Sequence, residues 1–115
     1  MAQRENAKVV LVTCGSLVEA RKIARSVVQS RHAACVNVIS APVESIYRWK
    51  SNVERAREFL LVIKTTSRRL KALEAEVSRI HSYEVPEFLV LRVDSGSKKY
   101  LAWLLSSLEA GKRWR

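Results

Sequence analysis

No apolar run in this sequence approaches the roughly 20 residues that a helix needs to cross a bilayer, so no bilayer-spanning helix is expected. The opening Met-Ala-Gln-Arg-Glu-Asn-Ala-Lys is polar where a signal peptide would carry an apolar core, which makes the cytoplasm the expected compartment. Cysteine is scarce: two residues, Cys14 and Cys35, cannot build a disulfide scaffold. Both sit among apolar neighbours, where a reduced thiol behaves as a small hydrophobe. A Cys14–Cys35 disulfide is the competing reading. No CxxC, HxxxH or HExxH spacing occurs, which argues against a tight, preorganised metal site. There is also no nucleophile set beside a base, no oxyanion-hole pattern and no phosphate-cradling glycine loop, so an enzyme is not expected.

What is present fits one compact domain: 115 residues with 48% hydrophobic content. The formal charge of +10 raises the question of nucleic acid. The basic residues are dispersed, however, over Arg21, Lys22 and Arg25, over Arg48, Lys50, Arg55 and Arg57, and over Arg68, Arg69 and Lys71. Only the tail Lys112-Arg113-Trp114-Arg115 concentrates them. Without a recognition motif this reads as a solvated basic surface, and specific nucleic-acid binding is not expected.

Apolar periodicity gives the order of elements. Val9-Val-Leu-Val12 reads as a buried strand that ends near Gly15. Ser16 and Glu19 form a capping box, and Ala20, Ile23, Ala24, Val27 and Val28 make one apolar helix face as far as about Gln29. A β-branched stretch from Ala33 to Ile39 bends at Pro42. Ser45 to Lys50 then alternates, with Tyr47 and Trp49 on one face. Ser51-Asn52 is placed at the turn, and the return strand runs from Glu54 to Lys64 around the apolar centre Phe59–Ile63. Ser67 is placed as the cap of a second helix carrying Leu70, Leu73, Val77 and Ile80. A last strand, Phe88–Val93, precedes a third helix with Leu101, Leu104, Leu105 and Leu108, closed at Gly111. The expected fold is α+β: a ferredoxin-like split βαβ sandwich with a long β-hairpin and an extra C-terminal helix. Residues 1–7 are expected to be a flexible N-terminus, 8–110 a single domain and 111–115 a basic tail.

A hairpin from about Val43 to Lys64 is longer than so small a sheet can cover, so its tip must project. Its exposed edge and outward aromatics are a template for pairing with a second copy in a closed ring. A homo-oligomer is expected, and a monomer with the tip folded back is the competing reading.

Six segments together resemble the CutA divalent-cation-tolerance family: Val12-Thr-Cys14, Ala33 to Asn37, Ser45 to Trp49, Leu60 to Thr66, Tyr83 to Glu87 and Tyr100 to Trp103. The resemblance spans roughly residues 8 to 109. It implies a ferredoxin-like homotrimer related in architecture to PII signalling proteins, with a role in tolerance of copper and other divalent cations and no catalytic mechanism. Some positions depart from the family pattern. Ser82 stands where proline is usual, a change that loosens the loop after His81; Asn52 stands where a hairpin glycine is common; and Gly15-Ser16 stands where proline is frequent. The positive charge also departs from many acidic members, and a positive surface repels free metal ions at long range.

The chemistry concentrates in His81-Ser-Tyr-Glu-Val-Pro-Glu87. Pro86 keeps Val85 extended, which separates Glu84 in the loop from Glu87 at the strand's start and weakens an acid–base pair. Imidazole and thiolate suit copper or zinc, so Cys14 and His81, with Glu84 as a third ligand, form the candidate metal set. A subunit boundary is expected to bring them together, and no obligatory cofactor is expected. Lys64, Tyr83 and Glu87 are placed in a ligand cleft that could serve a sensor of a small anionic metabolite. Tyr47, Trp49 and Trp103 are placed at subunit contacts. The structural alternatives are a His81 that complements a helix dipole and core roles for Cys35 and Cys14.

Overall fold

The β-branched run near the N-terminus forms β1 (Ala7–Cys14), in which Val10, Val12 and Cys14 are fully buried while the residues between them face the other way. That two-residue period follows from the pleat of a strand. The computed structural model describes residues 6–109. Residues 1–5 of the expected flexible N-terminus, the basic tail 111–115 and Gly111 lie outside them.

Ser16 caps α1 (Leu17–Gln29): its side chain accepts the Glu19 N–H at 3.2 Å. The expected capping box is only half used, because the Glu19 carboxylate turns towards His81 and Ser82. Ala20, Ile23, Ala24 and Val27 are buried as their spacing requires. α1 ends in a Schellman motif, with His32 N–H donating to Val27 O and Arg31 N–H to Val28 O. The left-handed residue is Arg31, at φ 63°, where glycine is the usual occupant. Its guanidinium donates to Ser107 O at 2.9 Å, so the strained residue also ties down α3 (Lys98–Ser107). Arg69 does the same at Leu108 O, 2.7 Å away. Two cations thus meet the negative end of the α3 dipole. α3 ends at Ser107, short of Gly111, and buries Leu104 and Leu108 against Ala34 while Leu105 stays exposed.

The bent segment divides into β2 (Cys35–Val38) and β3 (Val43–Trp49), and both pair with β4 (Asn52–Thr66), the longest strand. β5 (Leu89–Arg92) closes the sheet, whose order is β2-β4-β1-β5 with every neighbour antiparallel. This is the ferredoxin-like α+β arrangement expected from the sequence. α1 and α2 (Leu70–Ile80) cover one sheet face, and Ile23, Leu61, Ile63, Leu73 and Val77 interlock between them. Burying each such side chain stabilises the fold by roughly 1.5–3 kcal/mol. The Ser26 hydroxyl bonds the Glu76 carboxylate across the helix pair; Arg79, and then Ser26, hold that carboxyl down at about 2.

Two local expectations shift. The hairpin turn falls one residue earlier than placed, at Lys50 and Ser51 (φ 50° and 72°), between the paired residues Trp49 and Asn52. Two successive left-handed residues match the right-handed twist of the flanking strands. Ser67 does not cap α2, which begins after a 3₁₀ turn, Ser67–Arg69. It pairs with Asn6 instead: its N–H donates to Asn6 O at 2.8 Å and its hydroxyl accepts Asn6 N–H at 3.1 Å, which extends the β1–β4 ladder.

β1 ends at Cys14, paired with Phe59, and from Glu58 backwards β4 has only β3 as a neighbour. The hairpin therefore leaves the sheet as an arm, and the molecule measures 47 × 28 × 25 Å.

Candidate functional site

Three element ends converge where the arm departs: the last residue of β1, the first turn of α1 and the end of α2. Cys14 points into the core, Glu19 lies in the first turn of α1, and His81 caps α2, with its own N–H donating to Val77 O at 2.9 Å. One thiol sulfur, one carboxylate oxygen and one ring nitrogen from these residues all lie within 4.8 Å of one another. Cys14 and His81 therefore meet inside a single chain, with no subunit boundary needed. The third member of the group is Glu19, and Glu84 stands outside it.

The His81 ring is buried and both its nitrogens are engaged. Nε2 lies 2.8 Å from Thr13 O, and Nδ1 accepts the Tyr83 N–H at 3.1 Å. Glu19 Oε2 is 3.4 Å from the same Nδ1. An Nδ1 that accepts from a backbone amide carries no proton, so the closer contact selects the neutral ring with its hydrogen on Nε2, donating to Thr13 O. The ring docks the following loop on β1 and does not bind the last carbonyls of α2. Ser82, where a loosening was expected, adds a hydrogen bond from its hydroxyl to Glu19 Oε2 at 3.2 Å.

Burial, reinforced by the charges of Glu19 and then Glu58, pushes the Cys14 thiol up to about 12. It is a protonated, soft donor in a dry pocket. Both cysteines are free.

On the opposite side of the β1 terminus lies a cavity of about 540 Å³ between the arm and the 81–87 loop. Tyr47 and Trp49 of β3, Thr13, and Tyr83, Glu84 and Glu87 of the loop line it, together with Glu58. Glu58 is only 7% exposed, and its Oε2 accepts the Tyr83 hydroxyl at 2.8 Å. Burial, then this hydrogen bond, raises the Tyr83 phenol well above its ordinary value. Burial and then the Glu58 charge raise the Glu87 carboxyl. A Cβ at Gly15 would come within 3.1 Å of the Tyr83 hydroxyl, so the ring packs over bare backbone. Lys64 does not line the cavity. It lies six residues along β4 from Glu58, roughly 20 Å at a strand's rise, and its Nζ bonds Asn37 Oδ1. Trp103 is half-buried within its own chain, beside Ala34, Leu104 and Leu108, with its ring 5.4 Å from that of Tyr100.

A sequence model described as CutA1 divalent ion tolerance protein matches residues 8–107. The chain belongs to the CutA1 family. It is similar to the divalent-cation tolerance protein CutA of Thermus thermophilus, with 42% identity over 97 residues that span 84% of this chain and 93% of that protein. It is also similar to protein CutA of Homo sapiens, with 43% identity over 99 residues that span 86% of this chain and 55% of that protein. The chain spans about half the length of several curated relatives, including 54% of the chloroplastic CutA of Arabidopsis thaliana. Among solved structures, CutA from Xylella fastidiosa superposes with a TM-score of 0.87 at 32% identity, covering 90% of this chain and 99% of that one. The Thermus thermophilus protein gives 0.83 at 42% identity, covering 85% and 94%. The CutA1 family is named for tolerance of divalent ions, and this member brings a thiol, a carboxylate and an imidazole together at the end of β1.

The sequence reading missed Glu19 and Glu58. Glu19 was visible only as a capping residue. Glu58 stands next to the apolar run Phe59–Ile63, and strand pairing puts it on the same face of the hairpin as Tyr47 and Trp49.

The folded Cys14 thiol, at about 12, lies above its ordinary 9.0, so the native state keeps a proton that the unfolded chain releases. That contribution is fully present below pH 9 and is lost as the pH rises towards 12. Denaturant titrations of the native chain should show stability falling over this window, and Cys14→Ser should show a shallower fall. Equal slopes would contradict the buried-thiol assignment.

Proposed function

We propose that this CutA1-family chain serves divalent-cation tolerance by weakly binding a soft divalent cation, copper or zinc in character, at Cys14, Glu19 and His81. The observation that carries the reading is the convergence of these three donors within 4.8 Å. Thiolate and imidazole suit such ions, and a carboxylate completes the set. Two features keep the binding weak. The ion must displace the thiol proton, and it must take Nδ1 from the Tyr83 N–H. The cation is cargo here, with no step of chemistry performed on it, and the protein acts without catalysis. Free thiols fit a reducing compartment such as the cytoplasm. Local charge supports cation approach despite the +10 total, since the adjoining cavity is lined by Glu58, Glu84 and Glu87 with no Lys or Arg. The same lining speaks against a PII-like sensor of an anionic metabolite.

The protein works as a homotrimer, with Tyr47 and Trp49 of each arm and Trp103 near the contacts between copies. Support comes from apolar surface that a lone chain leaves in water: Ile46 (66% exposed) and Val53 (67%) on the arm, and Leu89, Val90 and Leu91 on the edge strand β5. Such edges pair with other chains unless they are covered.

Zinc(II) calorimetry tests the site. Affinity should rise about tenfold per pH unit as one thiol proton is released, and both Cys14→Ser and His81→Ala should abolish the heat. Unchanged binding in both variants would overturn the assignment. Sedimentation velocity at micromolar concentration should give three copies per particle, and a stable single chain would contradict the assembly.

A further inference from the structure

Among the described residues, no backbone–backbone hydrogen bond involves the 82–87 loop. Three hydrogen bonds that each use a side chain hold it instead. The Tyr83 N–H donates to His81 Nδ1 at 3.1 Å, the Ser82 hydroxyl to Glu19 Oε2 at 3.2 Å, and the Tyr83 hydroxyl to Glu58 Oε2 at 2.8 Å. The chain is fixed again at Phe88, which packs against the core. His81 and Glu19, which accept the first two of these bonds, belong to the group that gathers at the end of β1.

The ring of His81 sets ion and loop in conflict. Its Nε2 hydrogen is committed to Thr13 O, so Nδ1 is the nitrogen left for a cation, and it is also the one beside Glu19, 3.4 Å from Oε2. A ring N–H given to a backbone carbonyl is the common support behind a metal-bound imidazole, so the tautomer is already the one that binding at Nδ1 requires. A neutral Nδ1 has one lone pair, in the plane of the ring. That lone pair serves either the Tyr83 N–H or an ion. Glu19 Oε2 is contested in the same way, because a cation that draws on its charge leaves a weaker acceptor for the Ser82 hydroxyl. The Tyr83–Glu58 bond is untouched, since Glu58 lies outside the group.

We propose that a soft divalent cation at Cys14, Glu19 and His81 releases the 82–87 loop from its hold on His81, so that occupancy of the site is read out as a change in loop anchoring. This rests on the metal assignment above. The coupling is reciprocal: the factor by which the ion weakens the loop's hold is the factor by which the anchored loop weakens the ion's. Through Tyr83 and Glu58 the loop joins the root of the arm, which carries the change to the base of that element. The chain then responds to an ion rather than only holding it.

Residue-resolved amide exchange by NMR, on the full chain in its native assembly with and without saturating zinc(II), is the test. Zinc should speed exchange of the Tyr83 amide about tenfold, as loss of a hydrogen bond does. Amides of β1 such as Val12 should slow or stay unchanged, because a bound ligand stabilises the folded state. The two signs are opposite, so general stabilisation cannot imitate release. Cys14→Ser, which loses zinc, should show no response at Tyr83. Ser82→Ala, at an exposed residue, removes in advance a bond that the ion must weaken, and should therefore bind zinc roughly two- to tenfold more tightly in calorimetry. Zinc heat with an unchanged or slower Tyr83 amide overturns the release alone, as does a Ser82→Ala affinity equal to or below that of wild type, or an equal Tyr83 response in Cys14→Ser. Absence of zinc heat overturns the metal assignment and the release with it.

Discussion

The imidazole of His81 is the tie on which both candidate sites depend. A buried ring with two nitrogens is tolerated only if both are satisfied, and here one reaches Thr13 O and the other takes the Tyr83 N–H. The first bond fixes the end of α2 to the end of β1. The second turns the chain so that Tyr83 swings over Gly15 and reaches Glu58. Without the ring, the loop that carries Tyr83, Glu84 and Glu87 would lose its anchor on β1 and keep only the Tyr83–Glu58 bond to β4.

The alternation of β1 then keeps two kinds of chemistry apart. Cys14 faces the helices and Thr13 faces the uncovered side, so adjacent residues serve opposite faces of the sheet. On the helix side a dry pocket holds a protonated thiol beside an imidazole and a carboxylate. On the other side, carboxylates and aromatic rings line a hollow beneath the arm. β4 makes this possible because it is a single continuous strand, the centre of the sheet in its second half and one side of the arm in its first.

Much of this was legible in the sequence because periodicity records burial. The order of strands and helices and the long hairpin follow from apolar spacing; residue types that suit metal singled out Cys14 and His81, but a subunit boundary was expected to join them and the fold brings them together within one chain. The hairpin turn was misplaced by one residue because Asn52 is the better-known left-handed residue, yet strand twist imposed that backbone on Lys50 and Ser51. Ser67 looked like a cap but closes a strand ladder, a choice set by Asn6, which lies 61 residues away in sequence. Glu19 was hidden because one side chain can serve a helix terminus or a neighbouring element, and spacing does not say which. Glu58 was the most readable omission: an acidic residue in phase with Tyr47 and Trp49, beside an apolar run, marks a charge on a face that is otherwise aromatic.

The most direct test of the tie is nitrogen-15 NMR of the His81 ring in the native protein at neutral pH. The structure predicts a neutral imidazole with its hydrogen on Nε2 and an accepting Nδ1 coupled through a hydrogen bond to the Tyr83 amide. An imidazolium signature, or a hydrogen on Nδ1, would place the ring on Glu19 instead, leave the Tyr83 N–H without its acceptor, and contradict the account of how the loop is held.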